Sequence, residues 1–310
     1  MQRGTDPECR FFQYFADQGH YQEPGTSRQG IYAVAPSGKL LGSVNDLDPK
    51  VVRELLVDAI KQWDRIEEEE KHMPPESELA PTHRWEHSYP ENGLTLRSYS
   101  RDLPADGNVS AEPSLRWNRD HTWFTAEELR MWLPEDPKPG AVHSVPQLLV
   151  DRLTRFHIVD HVNGQTLPFH SSEVADSKLT ITITQVDGPT VSFEVHGETI
   201  GNTDGTWRMD PATEFANLAP TRKRPHGLRT RVWGDGTFDA ETRAFTRFDM
   251  VALGVRWGGT RFNGRRRRAN DSPIGFAFEL APDTPAGKIA PAFAGSKYAT
   301  WVKLPDKKSP

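Results

Sequence analysis

The chain has 310 residues, of which 38 are Lys or Arg and 43 are Asp or Glu, so its formal net charge is −5 with neutral histidines. This acidic balance argues against a general nucleic-acid binder, because the neutralisation of phosphates needs a clustered basic excess. The single cysteine, Cys9, excludes an intramolecular disulfide and a four-cysteine zinc site. No run of ~18 apolar residues predicts a membrane span. The polar amino terminus is not a signal peptide, so we expect a cytoplasmic protein if Met1 is the true start.

The first predicted domain, residues 1–71, is a small α/β segment. A short helix places Cys9 in its first turn, where the helix dipole favours the thiolate. The stretch "GIYAVAPSGKLLGSVN" predicts a β-hairpin, because two β-rich runs flank a cluster of turn residues. A helix follows, with Asp48 as its cap and Pro49 in the first turn, where the missing N–H costs nothing.

This hairpin and helix, at about residues 29–63, resemble the C-terminal half of a thioredoxin-like domain. The resemblance implies a thioredoxin-like fold for the segment and a redox-related ancestry. The family's active site is a Cys-x-x-Cys at the start of an early helix, and this chain has no second cysteine. We therefore do not carry over the oxidoreductase activity. A single-thiol redox or sensing role is retained as an alternative, with Cys9 as the candidate catalytic residue.

The rest of the chain is predicted as a linker, a larger domain and a tail. Residues 72–93 are rich in proline and show almost no periodicity, which indicates an extended linker. Residues 94–282 alternate apolar and polar side chains over several long runs, which is typical of antiparallel strands. Residues 283–310 are rich in Pro, Ala and Lys and predict a tail.

Within the larger domain the sequence predicts two helices packed on a sheet. The first, at about residues 125–133, starts with a capping box of Thr125 and Glu128. The second, at about residues 145–162, has Ser144 as its predicted cap. Five or more consecutive antiparallel strands follow, which favours a curved meander or a partly closed barrel. The predicted fold class is therefore α+β, with a truncated thioredoxin-like segment followed by this β domain.

Two histidines in the second helix raise the possibility of a metal site. His157 and His161 are four residues apart, a spacing at which a helix presents two imidazoles to one metal ion. Together with Asp160 they resemble the inverted zincin pattern His-x-x-Glu-His, with Asp in place of Glu. His170 is a candidate third ligand. This interpretation predicts a zinc-dependent hydrolase in which Asp160 is the catalytic carboxylate.

The favoured interpretation of the same residues is structural. Leu149, Leu153, His157 and His161 form one i, i+4 column, so His157 points where the apolar face points. A histidine near a helix C-terminus is also favoured by the helix dipole alone. On this interpretation the helix end faces the core, and no cofactor is expected.

Two further patches could contact a ligand. Four consecutive arginines could bind an anion, since guanidinium groups match planar oxyanions, although a solvated loop is the favoured interpretation; they are Arg265, Arg266, Arg267 and Arg268. Four tryptophans could line a ligand surface, although large aromatic residues at alternating strand positions usually lie in the core; they are Trp123, Trp132, Trp233 and Trp257.

The leading functional hypothesis is a non-catalytic binding or scaffolding protein. Its β domain is expected to bind a small molecule or a protein partner, and the motifs of phosphate loops, nucleophile elbows and dinucleotide folds do not occur in the sequence. The alternatives are the metal-dependent hydrolase centred on His157, Asp160 and His161, and the single-thiol protein acting through Cys9.

Overall fold

The structure, a computed structural model, describes residues 7–20, 28–73, 89–105, 117–164, 166, 168–205, 223–260, 263, 265, 271–284 and 287–291. The chain divides into two compact units, residues 1–89 with 282–299 and residues 90–281 with 300–310. We name them the amino-terminal unit and the sheet unit. In the described part of the chain, no helix has both the length and the apolar character that crossing a membrane requires.

The amino-terminal unit contains two helices and one hairpin. Its elements in chain order are α1 (Pro7–Ala16), β1 (Ile31–Val34), β2 (Leu40–Val44), α2 (Pro49–Trp63) and a 3-10 helix (Glu68–Lys71). Strands β1 and β2 pair antiparallel, so the predicted hairpin is confirmed. The predicted start of α2 is also confirmed, because the Asp48 side chain accepts a hydrogen bond of 2.8 Å from the backbone N–H of Lys50. The likeness to a thioredoxin-like domain stays a prediction.

Cys9 lies in the first turn of α1, as predicted, and its side chain is buried. With Gln13 and Ala16 it forms the inward face of this helix, at the i, i+4, i+7 spacing expected of one helical stripe. The residue is only 7% exposed. The predicted linker lies largely outside the described residues, and part of the predicted tail, residues 287–291, belongs to the amino-terminal unit.

The sheet unit is built on eight antiparallel strands. They are β3 (Leu94–Asp102), β4 (Trp117–Phe124), β5 (Val142–Ser144), β6 (Lys178–Asp187), β7 (Thr190–Thr203), β8 (His226–Asp239), β9 (Ala244–Gly258) and β10 (Ser272–Leu280). Their spatial order is β4-β3-β10-β9-β8-β7-β6-β5. The predicted meander is confirmed, because β6 to β10 are neighbours in chain order. The hairpin of β3 and β4 adds to the free side of β10.

The sheet is open, so the predicted partly closed barrel is wrong. Strands β4 and β5 are its two edges, and they do not pair with each other in the described part of the chain. The sequence could not distinguish the two forms, because apolar and polar residues alternate in the same way along the strands of an open sheet and of a barrel.

One face of the sheet is buried and the other is turned outward. Along β7 the odd-numbered residues from Val191 to Thr203 are the inward ones, and along β8 the even-numbered residues around Val232 are. The inward face packs against the helices and the segments that follow them in a single hydrophobic core. This alternation separates the core face from the outward face along β6 to β9, whereas the last five residues of β4 are all buried.

Both helices of the sheet unit are shorter than predicted. Helix α3 starts with the predicted capping box but spans only Ala126–Leu129. Helix α4 spans Gln147–Arg152 and continues as a π-helical turn, Leu153–His157. Ser144 does not cap α4, because it ends β5 and pairs with Thr180.

The helical run ends five residues before the predicted end. The backbone leaves helical geometry at Ile158, whose φ and ψ are −97° and 68°. Ile158, Val159 and Val162 are nevertheless buried in the core. Apolar residues thus continue beyond the helix, and their periodicity alone could not mark its end.

Candidate functional site

Arg265 is the centre of a buried network of charges in the sheet unit. Its Nε and Nη2 donate to the two carboxylate oxygens of Asp160 at 2.8 and 2.7 Å. Its Nη1 and Nη2 donate to the two oxygens of Asp102, both at 2.7 Å. Four of its five N–H groups are therefore engaged, and its side chain is 1% exposed. We call Asp102, Asp160 and Arg265 the buried arginine clamp.

The clamp joins three parts of the sheet unit. Asp102 ends β3, Asp160 follows the π-helical turn, and Arg265 lies between β9 and β10. The segment of Asp160 is held further, because Thr166 Oγ1 donates to its backbone oxygen at 2.5 Å and Asn263 Nδ2 donates to Thr166 Oγ1 at 3.2 Å. The clamp thus links three segments that are distant in sequence.

The charge balance of the clamp keeps Arg265 ionised. Burial by itself lowers the pKa of Arg265, but the hydrogen bonds and charges of Asp102 and Asp160 outweigh it and raise that pKa above its ordinary value. The predicted anion site is therefore wrong at Arg265, because two carboxylates of the protein occupy its guanidinium. Arg266, Arg267 and Arg268 lie outside the described residues.

The predicted metal-ligating residues lie in different environments. His157 is in the π-helical turn and is buried, and this burial lowers its pKa to about 3 against the opposing charge of Asp120. His161 lies beyond the helical run, where its Nδ1 accepts from the backbone N–H of Thr166 at 3.1 Å. His170 is exposed and caps a short 3-10 helix, Ser171–Glu173.

The geometry does not support a metal centre at these histidines. Among the described residues, no group of three or more His, Cys, Asp or Glu side chains is arranged to hold a metal ion. Asp160, the predicted catalytic carboxylate, is bound to Arg265 in the clamp. The zinc-hydrolase hypothesis therefore stays a prediction without support from the side-chain arrangement.

A second buried ion pair, which the sequence analysis did not predict, joins α3 to α4. Arg152 Nη1 and Nη2 lie 2.6 and 2.5 Å from the two oxygens of Glu128. Burial raises the pKa of Glu128 and lowers that of Arg152, and their mutual attraction opposes both shifts. Glu128 also accepts a hydrogen bond from the backbone N–H of Thr125, so it belongs both to the capping box and to this ion pair.

The outward face of the sheet carries a groove of about 580 Å³. Strands β7, β8 and β9 line it together with Thr184 of β6, and the register of β7 to β9 arranges nine of its side chains in three rows of three. The rows are Ser192, Thr237 and Arg247; Glu194, Asp235 and Asp249; and His196, Trp233 and Val251. Adjacent side chains within a row are about 5 Å apart, and rows are separated by about 7 Å.

The middle row places three carboxylates directly opposite one another. We call Glu194, Asp235 and Asp249 the acidic row. Arg247, from the neighbouring row, is 2.5 Å from Asp235 and 2.7 Å from Asp249. Glu194 lies 3.3 Å from His196, which carries a charge only if it is protonated. With His196 neutral, the groove has three carboxylates and one guanidinium, which leaves two negative charges in excess.

Trp233 forms the aromatic part of the groove and is 39% exposed. Across its row it faces His196 on β7 and Val251 on β9. Among the described residues, cation–π contacts occur at Trp63, Phe124, Phe156 and Tyr89, and no cation of the protein covers the Trp233 ring. Its indole ring is therefore accessible to a ligand.

The other tryptophans of the predicted ligand surface do not share this exposure. Trp123 and Trp132 are 1% and 0% exposed, so their predicted role as a ligand surface is wrong. Trp132 instead packs edge-to-face against Phe124 and Phe248 in the core. Trp257 lies on β9 and is half-buried.

Two glycines of β8 allow the strands around the groove to approach closely. A Cβ atom at Gly234 would lie 2.6 Å from the backbone oxygen of Asp249. A Cβ atom at Gly236 would lie 2.5 Å from the ring of Phe193 and 2.5 Å from the backbone oxygen of Arg247. In the sequence "WGDGT" the two glycines therefore face the core and allow close contact with the neighbouring strands. The alternate residues, Trp233, Asp235 and Thr237, point into the groove.

Of the groove residues, only Trp233 was predicted from the sequence to belong to a ligand surface. The polar members alternate along the predicted strands and look individually like ordinary outward-facing residues. Two hairpins, β7 with β8 and β8 with β9, bring them into rows, and their registers follow from the turns. If the turns of both hairpins had been assigned from the sequence, the strand register would have predicted that Glu194, Asp235 and Asp249 lie side by side.

We compared the chain with protein-family models, with curated proteins and with solved structures. None of the three comparisons found a match.

Proposed function

We propose that the protein is a non-catalytic binding protein whose sheet unit takes a small organic ligand in the groove. The observation that carries this proposal is an accessible indole, Trp233, beside a row of three carboxylates in a groove of about 580 Å³. This volume lies within the range of roughly 300–1,000 Å³ that is typical of small-molecule sites.

The residues that line the groove are of the kinds that bind small organic ligands. A tryptophan side chain offers a large, rigid contact area and keeps one polar N–H for hydrogen bonding. Polar groups on the neighbouring positions, among them Ser192, Glu194 and Asp235, can then fix the orientation of the ligand.

The charges of the groove also support a binding role, because they oppose folding. Like charges directly opposite each other on neighbouring strands destabilise a sheet. Glu194 faces Asp235, and Asp235 faces Asp249, and Arg247 bridges only the second of these pairs. Residues that lower the stability of the fold are expected at functional sites, because they are retained for ligand binding.

The two alternative functions have less support. A metal-dependent hydrolase needs a group of ligands, and none is arranged to hold a metal ion among the described residues. A redox or sensing thiol needs access to its oxidant, whereas Cys9 is 7% exposed.

Ligand-detected NMR on the full chain tests the proposed function. A mixture of small organic cations, neutral saccharides and organic anions is offered to the protein, and saturation transfer identifies the class that binds. Trp233→Ala is compared with Trp117→Ala, because Trp117 is a second exposed tryptophan, at 62%, that lies outside the groove.

We expect at least one class to bind, with a signal that is weakened in Trp233→Ala and unchanged in Trp117→Ala. Binding of equal strength in both variants would place the ligand elsewhere and overturn the proposal. The absence of binding from all three classes would overturn it as well. Circular dichroism of each variant shows whether the sheet is intact.

A further inference from the structure

We infer that the ligand of the groove is an aliphatic polyamine that lies across β7, β8 and β9 with its ammonium groups on the acidic row. This inference rests on the proposed function and deepens it by naming the ligand class. Three features of the groove lead to it: the excess of negative charge, the spacing of the carboxylates, and the apolar row beside them.

The charge excess requires a cationic ligand. Three carboxylates face one guanidinium, and all of these side chains are about half exposed, so a bound cation would neutralise charges that the protein leaves uncompensated. An anionic ligand would add to the repulsion within the acidic row. A neutral ligand would leave that repulsion unchanged.

The spacing of the acidic row suits several linked charges rather than one. Its carboxylates stand on three adjacent strands, which are about 4.8 Å apart, so the row extends over about 10 Å. Amino groups that are separated by three or four methylenes in a linear polyamine have a comparable spacing. Each ammonium group can then donate to one carboxylate, as charge-assisted hydrogen bonds require.

The neighbouring row supplies an apolar surface for the methylenes. Trp233 and Val251 are 39% and 41% exposed and lie about 7 Å along their strands from the acidic row. An aliphatic chain between two charges can pack on the indole face, and an ammonium beside it gains a cation–π attraction.

Two other cations fit the groove less well. A divalent metal ion needs ligands that converge on one point, and no such group exists in the described part of the chain. A quaternary ammonium is usually held by a cage of several aromatic rings and donates no hydrogen bond. Here one indole stands beside three hydrogen-bond acceptors, which favours primary and secondary amines.

Arg247 occupies part of the polyamine site in the free protein. Its guanidinium bridges Asp235 and Asp249, the positions that two ammonium groups would take. The ligand must therefore displace Arg247, and removal of this side chain should strengthen binding. This effect distinguishes a specific site from general attraction to an acidic surface, because only a side chain within the site competes directly.

Isothermal titration with spermidine tests the inference on the full chain, with triethylene glycol as a neutral linear probe and tetramethylammonium as a quaternary one. We expect saturable binding of spermidine alone, which weakens as salt rises. Trp233→Ala should weaken it about two- to fivefold. Glu194→Gln should weaken it by up to about fivefold, as expected for one exposed ion pair.

Matched variants control for net charge. Glu135→Gln removes an exposed carboxylate outside the groove and should leave the dissociation constant within twofold of the original. Arg247→Gln should strengthen spermidine binding, whereas Lys138→Gln, which removes an exposed cation outside the groove, should not.

Equal effects of Glu194→Gln and Glu135→Gln would overturn the polyamine inference, because binding would then follow net charge alone. Trp233-dependent binding of a neutral saccharide without binding of spermidine would overturn it too, but would leave the proposed function standing. If no probe and no other small molecule binds at Trp233, both the inference and the proposed function fail.

Discussion

The sheet unit uses one arrangement of charges twice, in two opposite environments. In the buried arginine clamp, Arg265 bridges Asp102 and Asp160. In the groove, Arg247 bridges Asp235 and Asp249. Arg265 is 1% exposed, whereas Arg247 is 54% exposed. Burial, and not the identity of the residues, distinguishes the two groups: the buried one links distant segments, and the exposed one lies in the groove that we propose as a ligand site.

The difference has a simple electrostatic origin. Within the protein, where the effective dielectric constant is low, an arginine and its carboxylates attract each other strongly, and removal of one partner leaves a buried charge without compensation. At the surface, water and salt screen the same attraction, so the side chains can exchange partners at small cost. The ion pairs of Arg265 are therefore expected to persist, whereas Arg247 is expected to exchange its partners.

The largest expected effect tests this difference directly. Arg265→Met should lower the free energy of unfolding by about 3–5 kcal/mol, because it removes the bidentate partner of Asp102 and Asp160 and leaves Asp160 only the longer ion pair with Arg256, at 3.8 Å. Arg247→Met, the matched change in the groove, should have a much smaller effect. Urea denaturation monitored by circular dichroism measures both variants.

The clamp also offers its own control. The combined change of Arg265→Met, Asp102→Asn and Asp160→Asn removes all three charges and should recover part of the stability that Arg265→Met alone loses; recovery is incomplete because buried Arg256 then loses its ion pair with Asp160. Equal destabilisation by Arg265→Met and Arg247→Met would contradict the proposed division between a structural and an exchangeable group.

The next effect compares a buried histidine with an exposed one. Burial lowers the pKa of His157 to about 3, from an ordinary value near 6.5. Between these values the unfolded chain binds a proton that the folded protein excludes, so stability falls as the pH decreases from about 6.5 towards 3. The loss from this residue is at most on the order of a few kcal/mol, and none is expected above that window.

His157→Asn should therefore flatten the dependence of the unfolding free energy on pH below about 6.5. His196→Asn, at an exposed position of the groove, should leave most of that dependence in place. A residual slope is expected from His226, whose pKa is also lowered by burial. An unchanged slope in His157→Asn would show that the residue is not buried in solution.

The smallest effect separates stability from binding in the groove. Glu194→Gln removes one of two directly opposed pairs of like charges and should raise the free energy of unfolding by about 0.2–1 kcal/mol. The same variant is expected to bind spermidine more weakly. Thermal denaturation and titration of one preparation measure both quantities, and a loss of both would argue against the groove as a binding site.

The fold could be predicted in part because alternation and turn signals are local. The hairpin of β6 and β7 follows from Asp187 and Gly188, and the meander follows from five successive alternating runs. The open edges and the early end of the helical run could not be predicted. Both depend on contacts between distant segments, as at Ile158, which is apolar and buried although it lies beyond the helix.

The candidate sites divide in the same way. The sequence alone identified Trp233 as a possible ligand residue and placed His157 on the core side. It also grouped Arg265 with three neighbouring arginines as an anion site, because nothing local in the sequence pairs an arginine with Asp102 and Asp160. Those partners are 163 and 105 residues away along the chain.

The sequence by itself therefore determined the long strands, the antiparallel meander and the alternation of inward and outward residues along them. These properties follow from periodicity and turn chemistry, which act over a few residues. Only the tertiary structure decided that one Arg–Asp group is a buried clamp and that the acidic row, Trp233 and Val251 form one groove. Both depend on strand register and on burial, and therefore on residues that meet only in the folded chain.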